Sequence, residues 1–107
     1  MDPCTTCPAN FQEYQKRFPE MFDAYREAAR RARTAGPLDE KTTHLVQLAA
    51  AVGIRSEGAV HSHARRALDA GAAPDELFHV VNLMVSTVGF PAAAAAFSWI
   101  RDVLENR

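Results

Sequence analysis

The sequence lacks the features that mark several large classes of protein. Its only two cysteines, Cys4 and Cys7, lie near the start, so a secreted scaffold built on disulfides is excluded. Lys and Arg number 12 against 13 Asp and Glu, which gives no general attraction to nucleic acid or to an anionic membrane. No apolar run approaches the roughly 20 residues that cross a bilayer, and the first residues do not resemble a signal peptide. We therefore expect a cytoplasmic protein with neither nucleic-acid nor membrane partners.

The sequence is instead rich in helical periodicity. No stretch alternates apolar and polar residues for long enough to predict a strand, and prolines, glycines and capping residues divide the chain into helical segments. We predict helices at about 10–18, 19–32, 39–53, 56–70, 74–88 and 92–104. Since 107 residues suffice for one domain, we predict a single all-α domain over residues 10–107, preceded by an arm of residues 1–9 that contains a Cys-x-x-Cys motif.

Aromatic residues recur at helical spacing in the first two segments. This spacing is typical of a helix face that packs against another surface, so we predict that these side chains belong to the core or to a subunit contact. They are Phe11, Tyr14, Phe18, Phe22 and Tyr25.

The fourth segment contains a histidine on its apolar side. At about 100° per residue, Val60, His63 and Ala67 share one stripe of this helix. The opposite side is polar and comprises Ser62, Arg65, Arg66 and Asp69. His63 is therefore predicted to point into the protein, where it is either a hydrogen-bonded core residue or part of a functional site.

Five short motifs carry a resemblance to a known family. They are GPLDEKT at 36–42, LVQLAAA at 45–51, His63-x-x-x-Ala-Leu-x-Ala-Gly at 63–71, PDEL at 74–77 and GFPAA at 89–93. In this order and with these gaps, the chain resembles the carboxymuconolactone decarboxylase and AhpD-like family. The resemblance implies an all-α fold built on an antiparallel helix pair and assembly into a homotrimer or homohexamer.

The peroxidase branch of that family has a motif that this chain has lost. The motif is a Glu, eleven residues, Cys-x-x-Cys, three residues and a His, with the thiols at a helix N-terminus where the dipole favours the thiolate. Aligned on this motif, His44 replaces the Glu, Ser56 and Ala59 replace the cysteines, and His63 matches the His. Because neither serine nor alanine can carry out thiol chemistry, the usual peroxidase site is absent.

Cys4 and Cys7 offer one way to restore that chemistry. We hypothesise that the arm brings this dithiol to the His63 pocket, in the same or a neighbouring subunit, for peroxide or disulfide chemistry. His63 and His44 would relay protons, with Ser56 and Glu57 beside them at the start of the fourth helix. The alternative interpretation is a flexible terminus whose two cysteines have no role.

The histidines suggest two further functions. His44, His61 and His63 are candidate ligands of a divalent metal, and Glu57 lies one helical turn before His61. We expect that one monomer cannot easily bring all four groups to one ion, whereas a subunit interface could. Without a metal, His63 and His44 could perform acid–base chemistry on a small organic acid, with Arg55 as a carboxylate contact. The remaining possibility is a non-catalytic oligomer that binds a small ligand in this pocket.

Overall fold

The computed structural model describes residues 8–106, which form six α-helices and no strand. The helices are α1 (Ala9–Arg17), α2 (Pro19–Thr34), α3 (Glu40–Gly53), α4 (Glu57–Asp69), α5 (Pro74–Val88) and α6 (Phe90–Glu105). The predicted all-α class is thereby confirmed. None of the helices in this part of the chain has both the length and the apolar character that a bilayer-spanning segment needs.

Capping side chains fix the starts of α3 and α4. Asp39 Oδ1 accepts a hydrogen bond from the Thr42 amide at 2.8 Å, and Ser56 Oγ accepts one from the Ala59 amide at 3.3 Å. Each satisfies an amide that has no partner within its own helix. These two starts agree with the sequence prediction.

The junction between α5 and α6 is shorter than predicted. Gly89 alone ends α5 and begins α6, with a φ of 102°, which favours glycine because it has no Cβ. The last helix therefore starts at Phe90 rather than at residue 92, because Pro91 is in the first turn, where no amide donor is needed.

The contacts group the chain into two compact units, of which the first contains α1 and α2 and ends at Pro37. In this unit Phe22 is buried, and its ring lies 6.1 Å from those of Tyr14 and Tyr25. Tyr14, Phe18 and Tyr25 are 45%, 55% and 60% exposed, and Phe11 is also exposed. A core role for these aromatic residues was therefore wrong except for Phe22, whereas a role in a subunit contact stays a prediction.

Arg30 and Arg31 of α2 form solvent-facing ion pairs with Glu27. Glu27 Oε1 lies 2.6 Å from Arg30 Nη2 and 2.9 Å from Arg31 Nε. The hydrogen bond from Arg30, followed by that from Arg31, lowers the pKa of the Glu27 carboxyl to about 2. The Glu27 carboxylate thus offsets part of the positive charge of Arg30 and Arg31.

The second unit begins at Leu38 and contains α3 to α6 around the hydrophobic core. α3 packs against α4 and α5, and α6 packs against the same two helices. Leu48, Leu77 and Ile100 are fully buried at its centre. Alanines fill much of the remaining core, namely Ala51, Ala64, Ala67, Ala72, Ala93 and Ala96.

Candidate functional site

Two histidines meet inside the second unit. His44 on α3 and His63 on α4 bring their Nδ1 atoms to 3.4 Å of each other. Their ring centroids are 5.6 Å apart and the ring planes are inclined by 34°. His44 is 2% exposed and His63 is half-buried, so the pair runs from the interior towards the surface.

The sequence of α3 and α4 explains why these two rings meet. On α3, His44 shares a buried stripe with Leu48 and Ala51 at spacings of three to four residues. On α4, His63 follows the buried Val60 by three residues. Since only residues 54–56 connect the two helices, α4 turns back along α3 and places the two stripes face to face.

The contact between two Nδ1 atoms limits the protonation states of the pair. For a hydrogen bond, one ring must present Nδ1–H and the other a bare Nδ1, because two N–H groups would point at each other. The pair therefore holds a single proton between its rings. An imidazole pair that shares one proton can pass it to a third group, which is what general acid–base catalysis requires.

The N-terminus of α4 has structural side chains where the peroxidase motif has thiols. Ser56 caps the helix, Ala59 donates the capped amide, and both are half-buried. Glu57 is exposed in the first turn, and the preceding Arg55 is exposed with a φ of 57°. Cys4 and Cys7 lie outside the residues that the structure describes.

The three candidate metal-binding histidines do not form one cluster. His44 contacts His63, whereas His61 lies with Glu57 and Asp102, and its Nε2 is 3.9 Å from a carboxylate oxygen of each. Within residues 8–106, this second cluster is the one group of three side chains close enough to share an ion. Asp102 was missed by the sequence analysis because its proximity depends on the packing of α6 against α4.

Gln47 is a second polar residue that the sequence analysis missed. It lies one turn after His44 on α3, and its Oε1 is buried without a hydrogen-bond partner among the described residues. A buried acceptor of this kind favours a bound molecule that can donate to it. No sequence signal distinguishes this glutamine from one on a solvated helix face.

Most of the chain, including both histidines of the pair, is similar to known proteins. Residues 17–102 match the model of the carboxymuconolactone decarboxylase family. The crystal structure of an apo carboxymuconolactone decarboxylase family protein from Legionella pneumophila is similar to this chain with a TM-score of 0.75 and 26% identity, over 88% of this chain and 87% of that one. An uncharacterised protein from Haemophilus influenzae is 38% identical over 54% of this chain and 51% of its own length, so the chain spans about half of that curated relative. The resemblance predicted from the motifs is thus confirmed, and the chain belongs to the carboxymuconolactone decarboxylase family.

Proposed function

We propose that the protein is an enzyme that uses the His44–His63 pair for proton transfer to or from a small organic acid. The observation that supports this most is the 3.4 Å approach of the two Nδ1 atoms, in which His44 is a buried residue and His63 is half-buried. A proton shared between them can reach a substrate through the half-buried ring of His63. His44 holds the tautomer of His63, as a buried partner does in other acid–base sites.

The reaction class that fits this proposal is decarboxylation or isomerisation of a lactone or keto acid. When the C–C bond to a carboxylate breaks, CO₂ leaves and the electron pair stays on the substrate carbon, which must then take up a proton. The imidazole pair supplies that proton, and solvent restores it. Arg55, beside the N-terminus of α4, is the proposed contact for the substrate carboxylate, because helix N-termini also favour anions.

The test is turnover of carboxymuconolactone and related lactone carboxylates, measured as the release of CO₂. We expect His63→Gln to lower kcat/KM by at least about 100-fold, the usual contribution of a positioned acid or base. His79→Gln is the matched control, because His79 is exposed on α5. Turnover that is unchanged in His63→Gln would contradict the proposal.

A second candidate is thiol-dependent peroxidase or disulfide oxidoreductase activity, favoured because His63 matches the His of the family's peroxidase motif and His44 occupies the position of its Glu. A thiolate of Cys4 or Cys7 would attack the peroxide, releasing water or an alcohol and forming a sulfenic acid. The other thiol would then displace water to form the disulfide, which an external dithiol reduces. His63 and His44 would deliver and accept the protons.

Peroxide consumption with a dithiol reductant tests this candidate. Activity should disappear in the Cys4→Ser, Cys7→Ser variant and persist in His79→Gln. Substituting Ser56→Cys and Ala59→Cys in the thiol-free variant supplies a positive control, since it restores the thiols of the family motif. If neither substrate class is turned over, the protein is better described as a non-catalytic ligand-binding oligomer.

A further inference from the structure

A second cluster of ligating groups lies away from the histidine pair, between α4 and α6. Glu57 and His61 are one turn apart on α4, and Asp102 approaches them from α6. His61 Nε2 is 3.9 Å from Glu57 Oε2 and also 3.9 Å from Asp102 Oδ2. One donor atom from each of the three side chains falls within 4.8 Å of the others. We propose that Glu57, His61 and Asp102 bind a divalent transition-metal ion of the Zn²⁺ type.

The state of His61 Nε2 is an independent observation in favour of a ligand. This atom is buried, yet within the described part of the chain it has no hydrogen-bond partner. Both carboxylate oxygens are too distant for a hydrogen bond, which needs a separation near 3 Å. A nitrogen that is shielded from bulk water and aimed between two carboxylates is satisfied by a cation that all three groups can reach.

The distances between the three donor atoms fit a shared metal ion better than direct hydrogen bonds between His61 and the carboxylates. Zn²⁺ binds imidazole nitrogen and carboxylate oxygen at about 2.0–2.2 Å, which places tetrahedral ligands about 3.3 Å apart. Reaching that geometry requires each carboxylate to approach His61 by roughly half an ångström. The Glu57 and Asp102 side chains are both 57% exposed and can make this adjustment by a small rotation.

The donor set also indicates which metals are bound. Imidazole favours Zn²⁺ and its neighbours in the first transition row, whereas Ca²⁺ and Mg²⁺ prefer oxygen ligands alone. Three protein ligands leave a coordination position for water. Arg65 lines the same depression as His61 and Asp102, and its positive charge opposes that of the ion. The site is therefore expected to bind Zn²⁺ with modest affinity.

The experiment is calorimetric titration of the untagged full chain with Zn²⁺. The Cys4→Ser, Cys7→Ser variant serves as the parent protein, so that the arm contributes no thiol ligands. We expect one ion per chain, with affinity reduced at least about tenfold by Asp102→Asn and by Glu57→Gln. Glu105→Gln is the matched control, because Glu105 is an exposed α6 carboxylate paired with Arg101 outside the cluster.

Two further variants separate this site from its competitors. His63→Gln should leave Zn²⁺ binding unchanged, which excludes the His44–His63 pair as the binding site, and Arg65→Gln should tighten binding. Zn²⁺ should also raise the melting temperature of the parent by several degrees but not that of Asp102→Asn. Absence of Zn²⁺ binding, or binding that survives Asp102→Asn and is lost in His63→Gln, would overturn the proposal. These readouts involve no turnover, so they succeed or fail independently of the proposed function.

Discussion

His44 is a polar side chain in a helix stripe that is otherwise apolar. Leu48 and Val52, which follow it on α3, are fully buried, and Ala51 between them is 2% exposed. An imidazole at such a position destabilises the fold unless its ring nitrogens are hydrogen-bonded, and His63 Nδ1 at 3.4 Å offers a partner. The stability of the fold and the chemistry of the pair are therefore coupled at this residue.

This coupling can be measured in a double-mutant cycle. His63→Leu should lower the free energy of unfolding by about 1–3 kcal/mol, because it removes a partner of a buried ring. His44→Leu should also lower the free energy of unfolding. The loss in the double variant should be smaller than the sum of the two single losses, by more than about 0.5 kcal/mol. Urea denaturation supplies these values. Strict additivity would mean that the two rings do not stabilise one another.

Arg55 is held in the left-handed region of backbone conformation, at a φ of 57°. An L-residue there is strained by roughly 1–2 kcal/mol, which exceeds the conformational entropy cost of glycine. We therefore expect Arg55→Gly to stabilise the protein by up to about 1 kcal/mol in thermal or urea unfolding. If Arg55 also contacts the substrate, kcat/KM should fall in the same variant, and Arg55→Asn should show the loss of activity with less stabilisation.

The residues of the site differ in how far the sequence could reveal them. Helical periodicity indicates that His63 faces inward, and the family motif places His44 beside it. Asp102 and Gln47 have no such signal, because their surroundings depend on how separate helices pack. Sequence patterns describe each helix by itself, whereas these contacts arise only in the assembled unit.

At the scale of elements, the helix starts depend on a few polar groups. The start of α5 is held by Glu76, whose Oε1 accepts the Ala73 amide at 2.9 Å and whose Oε2 lies 3.1 Å from Lys41 Nζ. The Ala73 amide, followed by Lys41, lowers the pKa of the Glu76 carboxyl below its usual value of 4.5. Glu76 thus joins the beginnings of α5 and α3.

The lowered pKa of Glu76 makes its contribution to stability dependent on pH. The carboxylate stabilises the fold above its unfolded-state pKa of 4.5, and this stabilisation is lost as the pH falls through the lower folded-state pKa. Glu76→Gln should therefore lower the melting temperature at pH 7, with the difference from the unsubstituted protein shrinking below pH about 4.5. Lys41→Gln should reproduce only part of the effect. A difference that is independent of pH would contradict this account.

Element boundaries were mostly predictable because caps, prolines and glycines are local signals. Asp39, Ser56 and Pro74 each stand at a helix start in the sequence and in the structure. The aromatic spacing of α1 and α2 was less informative, since the same pattern is typical of a core and of an exposed contact surface. Periodicity identifies the apolar face of a helix but not what covers it.

At the scale of the molecule, the main hydrophobic cluster is in the second unit, because all of its buried members lie between Leu48 and Val103, whereas the buried Phe22 belongs to the first unit. We therefore expect a fragment comprising residues 38–107 to fold alone and to keep the His44–His63 contact. Circular dichroism and dispersed amide NMR signals would verify this. The fragment of residues 1–37, whose one buried side chain in the described part is Phe22, should be unfolded. If the fragment of residues 38–107 were unfolded, its core would need α1 and α2 in order to fold.

Exposed apolar side chains at the junction of α1 and α2 and along α2 are where we expect the subunits of the predicted homotrimer or homohexamer to meet. Phe18, Met21 and Tyr25 are each at least 55% exposed and recur at helical spacing. Apolar groups of this size that recur on one face usually mark an interaction surface. Light scattering should give a mass three or six times that of the chain, and Phe18→Ser with Tyr25→Ser should reduce it. A monomer at about 100 µM would contradict the prediction.

The many alanines of the core have a thermodynamic consequence. An alanine has no side-chain torsion to order, so its burial costs no rotamer entropy, but it also removes little apolar surface from water. Because apolar surface dominates the heat capacity change of unfolding, a core rich in alanine makes that change small for the length of the chain. The free energy of unfolding should therefore vary little with temperature, and the protein should be stabilised almost equally over a broad thermal range.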